Sequence, residues 1–126
     1  PEEINKTADA ISHAVCSISA DLDIKLIMTM THSGSTARMI SRYRPSAKIF
    51  ALTPFDRIVR QLQIIWGINP VKVDNYDNVE AIPNLCFSVL KDFKLLEFGD
   101  KFVITGGVPM GTAGTTNYLS VQKFDR

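Results

Sequence analysis

Four hydroxyl side chains and one glycine lie within residues 31–36, which read Thr-His-Ser-Gly-Ser-Thr. The largely apolar residues 25–30 before them are typical of a buried strand, and residues 37–43 after them have helical spacing. When a strand ends at Ser-Gly and the chain continues as a helix, backbone N–H groups are left unpaired at the start of the helix. These donors and the positive end of the helix dipole favour binding of a phosphate or another small anion. The side chains that would join them are Thr31, Ser33, Ser35 and Thr36, around Gly34.

A simpler interpretation of this turn is that Ser33 or Ser35 caps the following helix and does nothing else. A cap needs one hydroxyl, whereas this turn offers four, so we favour the anion site. The role of His32 stays open at this stage. Its imidazole could donate a hydrogen bond to a phosphate, but a solvent-exposed turn residue is the simpler expectation.

A second candidate loop, residues 106–117, contains four glycines and several threonines. Ligands of open parallel sheets bind beyond the carboxyl ends of the strands, and both this loop and residues 31–36 follow a predicted strand. If those two strands are neighbours, the loop folds over the turn and adds backbone N–H groups and threonine hydroxyls. The alternative is a wide hairpin whose glycines serve turn geometry, but four glycines exceed what a hairpin needs.

The repeated alternation of helix and strand patterns predicts an α/β fold. Strands are expected at residues 25–31, 48–53, 69–73, 101–105 and 118–124. Helices are expected at residues 4–18, 35–42, 54–66 and 79–93. This order predicts a three-layer α/β/α sandwich around a mainly parallel five-stranded sheet, formed by residues 1–126 as a single domain. The last connection is too short for a crossover helix, so we expect an antiparallel last strand at the edge of the sheet.

Three helix boundaries rest on specific residues. Thr53 is expected to cap the third helix with Pro54 at its first position, and Gly67 to end that helix in a left-handed conformation. Pro83 should lie in the first turn of the fourth helix, where proline is tolerated, or mark the residue at which that helix truly begins.

Bulk composition excludes several classes of protein. The formal net charge of +1 gives no global field for nucleic acid or for a membrane surface. No apolar run approaches the ~20 residues that cross a bilayer. Cys16 and Cys86 lie in helical patterns without metal-ligand spacing, so we expect reduced, packed thiols in a cytoplasmic protein. Because the chain begins at Pro1, we expect a fragment or a processed end.

Positive charge is concentrated in one part of the chain. The cations are Arg38, Arg42, Arg44, Lys48, Arg57 and Arg60, against Asp56 alone. We interpret them as a solvated helix face, because no aromatic side chains interleave with them as in a single-stranded nucleic-acid site. Nucleic acid is therefore not an expected partner.

Catalytic motifs are missing from the sequence. There is no Gly-x-Ser-x-Gly and no Gly-x-x-x-x-Gly-Lys, and His13 has no evident nucleophile or acid partner. Acidic residues are scattered, so neither a catalytic residue nor a metal site is expected.

Several short motifs follow one another along the chain at specific spacing. They are residues 31–38 (Thr-His-Ser-Gly-Ser-Thr-Ala-Arg), 41–45 (Ser-Arg-Tyr-Arg-Pro), 49–54 (Ile-Phe-Ala-Leu-Thr-Pro), 66–70 (Trp-Gly-Ile-Asn-Pro), 98–100 (Phe-Gly-Asp) and 111–117 (Gly-Thr-Ala-Gly-Thr-Thr-Asn). Over essentially its whole length the chain resembles the C-terminal domain of pyruvate kinase, of the bacterial type. The resemblance implies a regulatory domain of an enzyme that converts phosphoenolpyruvate and ADP to pyruvate and ATP.

The resemblance also implies partners. In the family this domain binds a phosphorylated effector, either fructose 1,6-bisphosphate or AMP or a sugar monophosphate, and contributes to an interface of a homotetramer. The catalytic lysine, magnesium and potassium belong to a preceding TIM barrel, so no cofactor is expected in this domain. The 126-residue chain alone is then expected to be inactive.

The effector role is carried onto ten residues by the resemblance. They are Thr31, Ser33, Gly34, Ser35 and Thr36 in the turn, and Gly111, Thr112, Gly114, Thr115 and Thr116 in the loop. Residues 107–109 read Gly-Val-Pro where eukaryotic members have Trp-Arg-Pro, and residues 74–80 lack the Trp and Arg that grip fructose bisphosphate. The effector is therefore left unnamed. Two alternatives remain open, an assembly domain with a vestigial anion site and a free-standing domain that binds small anions.

Overall fold

The computed structural model describes residues 2–76, 79–106 and 118–125. The helices are α1 (Glu2–Asp21), α2 (Ser35–Arg42), α3 (Asp56–Leu62) and α4 (Ile82–Phe93), with a short 3-10 helix (Val79–Ala81) directly before α4. The strands are β1 (Leu26–Met30), β2 (Lys48–Thr53), β3 (Ile68–Lys72), β4 (Lys101–Gly106) and β5 (Tyr118–Lys123). They form one five-stranded sheet in the order β3-β2-β1-β4-β5.

The strand directions confirm the predicted architecture. β1 pairs in parallel with β2 and with β4, and β2 pairs in parallel with β3. β5 pairs antiparallel with β4 and forms an edge of the sheet. The chain runs from β1 outward to β3 and then returns through α4 to β4 on the other side of β1, so the strand order reverses between β1 and β4.

Side chains alternate between two hydrophobic cores, one on each face of the sheet. Along β1, Leu26, Met28 and Met30 pack with Phe102, Ile104 and the buried residues of α4. Ile27 faces the other way and packs with residues of α1, α2 and α3. All five residues of β1 are buried. A central parallel strand covered by helices on both faces therefore reads as a continuous apolar run, which is why it was recognisable in the sequence.

α1 buries a stripe that contains polar as well as apolar residues. Ala8 and Val15 are buried, and Ser12 and Ser19 complete the stripe. Their hydroxyls donate to the carbonyls of Ala8 (2.8 Å) and Val15 (2.7 Å), one helical turn earlier. This internal pairing satisfies both hydroxyls, so two small polar residues can be buried on the helix without an unpaired group.

The predicted bounds of the third helix are wrong at both ends. Thr53 stays in β2, and its hydroxyl accepts a hydrogen bond from the N–H of Phe55 (3.4 Å), which lies before the helix, so Thr53 does not cap α3. α3 begins at Asp56 after the extended residue Phe55. It ends at Leu62, well before Gly67, whose φ of 72° is left-handed as expected. The fourth helix, by contrast, carries Pro83 in its first turn as predicted.

In the described parts of the chain no helix is both long enough and apolar enough to cross a membrane.

Candidate anion-binding site

The carboxyl ends of β1 and β4 lie side by side where the strand order reverses. Thr29 pairs with Thr105, so Met30 and Gly106 leave the sheet next to each other. A Cβ atom on Gly106 would lie 3.1 Å from the Cβ and 3.1 Å from the carbonyl oxygen of Met30. Only glycine permits this approach without displacement. In open α/β sheets the ligand crevice lies at such a switch point, and residues 31–36 begin there.

The turn between β1 and α2 is held together by its own hydroxyl groups. Thr31 Oγ1 accepts a hydrogen bond from the backbone N–H of Gly34 (2.7 Å). Ser33 Oγ accepts one from the N–H of Ser35 (3.3 Å), and it donates to Ser35 Oγ at 3.1 Å. The N–H of Thr31 donates to the carbonyl of Leu52 (3.0 Å), which ties the start of the turn to β2. The position of the turn is therefore fixed by the sheet.

Gly34 is the residue from which α2 starts. Its φ of 88° and ψ of −4° are left-handed, and as a glycine it offers no side-chain cap. Neither neighbouring serine is the N-cap, so the simple capping interpretation does not describe this turn. The first backbone hydrogen bond of the helix joins Arg38 N–H to the Gly34 carbonyl (3.1 Å). The amide N–H groups of residues 35–37 lie in the first turn of α2, where no earlier carbonyl of the same helix is placed to accept their hydrogen bonds.

The predicted hydroxyls divide into an outer and an inner pair. Ser33 and Ser35 are half-buried and lie next to each other at the surface of the turn. Thr31 and Thr36 are buried, at 4% and 3% exposure. The structure thus brings together all five turn residues of the candidate site, but only the serine hydroxyls reach the surface appreciably.

The other half of the candidate site lies outside the described residues. It consists of Gly111, Thr112, Gly114, Thr115 and Thr116. Gly106, the last described residue before this loop, lies beside the end of β1, so the two strands are neighbours as the loop argument requires.

His32 lies against two aromatic rings and is not the solvent-exposed turn residue that we expected. Its ring is half-buried, with its centroid 5.5 Å from that of Phe55 and 5.7 Å from that of Tyr76, both edge-on. Phe55 follows β2 and remains 42% exposed. Three neighbouring strands therefore supply a wall of aromatic rings along the carboxyl edge of the sheet, next to the hydroxyl turn.

Tyr76 is the buried member of this wall, at 7% exposure. Its hydroxyl has no hydrogen-bond partner among the described residues. Burial, with a smaller contribution from Cys86, raises the pKa of Tyr76 to about 12. The phenol therefore keeps its proton at neutral pH and remains a potential donor.

Sequence reasoning missed the role of Phe55 and Tyr76. Each lies just after a strand, at the same carboxyl edge as the hydroxyl turn. Parallel strands end at the same side of a sheet, so the residues that follow the predicted strands are expected at one edge. That expectation would have grouped Phe55 and Tyr76 with His32.

The charge near the turn is positive. The Nε atom of Arg38 lies 3.7 Å from the point where a Cβ on Gly34 would be, so this side chain passes close to the turn. Further along the same edge, Lys72 and Asp56 form an exposed ion pair (3.2 Å) that contributes little energy. Among the described residues no three acidic, histidine or cysteine side chains are grouped so that they could hold a metal ion. The arrangement suits a small anion better than a cation.

Comparison with known proteins supports the resemblance seen in the motifs. The family model described as "Pyruvate kinase, alpha/beta domain" matches residues 9–122. This chain belongs to the pyruvate kinase alpha/beta domain family. The matched range includes β1, the hydroxyl turn, α2 and nearly all of β5.

Curated relatives agree with this family. The pyruvate kinase of Clostridium acetobutylicum is 37% identical over 120 residues, which cover 95% of this chain and 25% of that protein. The pyruvate kinase of Staphylococcus epidermidis is 39% identical over 114 residues, covering 90% of this chain and 20% of that protein. The chain thus spans about a fifth to a quarter of the length of these relatives.

Solved structures match the fold closely. A pyruvate kinase of Cryptosporidium parvum in complex with ADP superposes with a TM-score of 0.83 at 29% identity, covering 94% of this chain and 24% of that one. A second structure from the same organism gives a TM-score of 0.84 at 28% identity. The α/β sandwich predicted from the sequence is therefore the fold of a pyruvate kinase alpha/beta domain.

Proposed function

We propose that this chain is the effector-binding domain of a pyruvate kinase and holds a phosphorylated metabolite at residues 31–36. The observation that supports the proposal is the start of α2 at Gly34, which lies at the switch point of the sheet. Two adjacent serine hydroxyls, the backbone N–H groups of the first helical turn and the positive end of the helix dipole converge there. Arg38 adds positive charge beside them.

The second half of the site is the loop of residues 107–117. Gly111, Thr112, Gly114, Thr115 and Thr116 would close over the anion from the β4 side, because Gly106 leaves the sheet next to Met30. The ligand is a phosphorylated sugar or AMP. Fructose bisphosphate is the less favoured candidate, since Gly-Val-Pro at residues 107–109 offers no arginine for a second phosphate.

The whole protein would be a cytoplasmic phosphotransferase acting in glycolysis, on phosphoenolpyruvate and ADP. This part of it would regulate the reaction and not perform it. Magnesium and potassium would then be bound by a separate catalytic domain. The partners of the chain would be that catalytic domain and further copies of itself in a homotetramer.

A second candidate function is assembly, with the anion site vestigial. The observation in its favour is β5, which pairs with β4 on one side and has no strand on the other in the described sheet. Val121 on this edge is 39% exposed. An open edge with apolar side chains is a liability that pairing with a second copy removes.

Ligand titration separates the two functions. Thermal unfolding of the chain is measured with increasing sulfate, AMP, ribose 5-phosphate and fructose 1,6-bisphosphate. We expect at least one phosphorylated compound to raise the Tm, because a ligand that binds the folded state stabilises it. Ser33→Ala removes one charge-assisted hydrogen bond, about 1.5–3 kcal/mol, and should weaken that effect. Ser17→Ala, an exposed serine on α1, is the matched control. No shift with any of the four compounds would favour the assembly function.

A further inference from the structure

The rings of His32, Phe55 and Tyr76, which we call the aromatic wall, lie beside the hydroxyl turn, and neither proposed function uses them. His32 belongs to the turn itself, between Thr31 and Ser33. Phe55 follows β2 and Tyr76 follows β3, and both strands lie on the same side of β1. The aromatic wall therefore extends the candidate site along the carboxyl edge of the sheet, away from the serine hydroxyls.

The His32 ring contacts both of the other rings. Its plane is inclined at 61° to that of Phe55 and at 60° to that of Tyr76, with centroids 5.5 Å and 5.7 Å apart. Edge-on contacts at these distances are a favourable arrangement of aromatic pairs. The His32 side chain is therefore positioned by packing, although it belongs to a turn.

Phe55 offers ring surface from a backbone that is bonded on both sides. Its N–H donates to Thr53 Oγ1 (3.4 Å) at the end of β2. Its carbonyl accepts hydrogen bonds from the N–H groups of Ile58 and Val59 (3.1 Å each) at the start of α3. The side chain is nevertheless 42% exposed. A large apolar ring is thus held in place next to the turn with part of its surface open to a ligand.

The aromatic wall also contains a polar group without a partner. The Tyr76 hydroxyl forms no hydrogen bond within the part of the chain that the structure describes, although the residue is almost completely buried. A buried hydroxyl without a partner costs free energy, and an acceptor atom of a bound ligand would remove that cost.

Resting on the proposed function, we infer that the aromatic wall binds the base of a nucleoside 5′-monophosphate whose phosphate lies at the hydroxyl turn. Ligand sites combine apolar and aromatic walls with a few polar groups that fix orientation, and the wall and the turn meet this description. In a nucleotide one sugar separates the base from the phosphate, and here a single residue, His32, separates Ser33 from the Phe55 ring. Every base has a flat face that stacks on an aromatic ring, whereas a sugar phosphate has none.

The charge close to the wall in sequence also favours a neutral group there. Asp56, Asp74 and Asp77 each lie within two residues of a member of the wall. Asp56 forms an exposed ion pair with Lys72 (3.2 Å), and Asp74 is exposed. Negative charge of this kind disfavours a second phosphate at the wall and leaves a neutral base unaffected.

The test compares AMP with ribose 5-phosphate, which has the same sugar and phosphate without the base. Isothermal titration calorimetry measures the affinity of the chain for each compound. We expect AMP to bind about tenfold more tightly or better, because stacking on an aromatic ring contributes at least this much per base.

Two variants identify the ring that is responsible. Phe55→Leu removes the aromatic face but keeps an apolar side chain, so AMP affinity should fall towards that of ribose 5-phosphate. The affinity for ribose 5-phosphate should stay nearly the same, which a general loss of structure would not allow. Phe93→Leu is the matched control, because Phe93 is a similarly exposed phenylalanine (52%) at the last position of α4. It should leave both affinities unchanged.

The possible failures are distinguishable. Equal affinities for AMP and ribose 5-phosphate would overturn the base-binding role and leave the anion site standing. A parallel loss of both affinities in Phe55→Leu, or an equal loss of AMP affinity in Phe93→Leu, would also overturn that role. Binding of neither compound would overturn the proposed function and the base-binding role together.

Discussion

Gly106 at the end of β4 lies against the backbone of Met30 at the end of β1, where a Cβ atom would approach the Met30 carbonyl oxygen to 3.1 Å. This contact brings together the exits of two parallel strands that are far apart in sequence. The hydroxyl turn starts after one exit and the glycine-rich loop after the other. The close approach is thus the structural basis of the shared anion site that we propose.

Replacing this glycine should disturb both stability and binding. Gly106→Ala places a methyl group against the Cβ and the carbonyl oxygen of Met30, which must shift to make room, so we expect a loss of about 1–3 kcal/mol in the free energy of unfolding. Urea denaturation measures it. Lys101→Ala, at the exposed start of the same strand, is the control. Unfolding of Gly106→Ala at the same urea concentration as the unmodified chain would show that the contact is not close.

A second prediction concerns the buried thiol of Cys86 in α4. Burial raises the pKa of Cys86 to about 12, from an unfolded value of 9.0. Above pH 9 the unfolded chain loses this proton first, so the unfolded state binds fewer protons and stability falls as pH rises towards 12. Between the two pKa values, one such thiol lowers the free energy of unfolding by about 1.4 kcal/mol per pH unit.

The control for this slope is Cys86→Val, which keeps an apolar side chain in the same core. Urea denaturation is measured between pH 8 and pH 11, roughly the range over which the shifted thiol acts. The free energy of unfolding should fall less steeply with pH in this variant than in the unmodified chain. Tyr76, whose pKa is also raised to about 12, leaves a residual decline above pH 10. Equal slopes for both chains would mean that the thiol does not contribute.

The bounds of helices and strands could be predicted from the sequence where the spacing of apolar residues defines them. β1 and β2 are continuously apolar and α2 has a marked polar and apolar face, so their bounds were predicted nearly to the residue. The bounds of the third helix were not, because β2 extends through Thr53 and α3 begins only at Asp56, after the extended residue Phe55. A local capping signal cannot reveal how far the preceding strand extends.

The candidate site was predicted in part for a similar reason. Residues 31–36 carry their chemistry in a contiguous motif, which a single sequence displays. The aromatic wall of His32, Phe55 and Tyr76 is assembled from three strand ends. The contact of Arg44 with the Trp66 ring joins the segments that follow α2 and α3. Such groupings depend on the strand order, which periodicity alone does not give.

The open edge of β5 leads to a prediction on assembly. We expect the chain to self-associate through this edge at high concentration, and Val121→Lys to oppose it by placing charge on the exposed face. Light scattering over a concentration series measures the mass. Gln63→Lys, at an exposed position after α3 on the side of the opposite edge strand, adds the same charge as a control. A monomer at every concentration would count against a role in assembly.

Catalysis is expected to be absent from the chain alone. Phosphoryl transfer requires a carboxylate-bound divalent metal and cations around the moving phosphoryl group. The described residues hold no such cluster. An assay coupled to lactate dehydrogenase, with phosphoenolpyruvate, ADP, magnesium and potassium, should detect no pyruvate. Pyruvate formation that depends on ADP would contradict the division between regulatory and catalytic parts.

The most direct measurement of the central claim is a residue-resolved NMR titration of backbone amides with inorganic phosphate, followed by AMP and ribose 5-phosphate. We predict that the largest shifts occur at residues 33–37, where amides precede the first hydrogen bond of α2, and in residues 106–117. The amides of Arg57 and Arg60, in the exposed basic part of α3, should shift little. Saturable shifts confined to those arginines, or no saturable shift at residues 33–37 with any of the three compounds, would contradict the anion site.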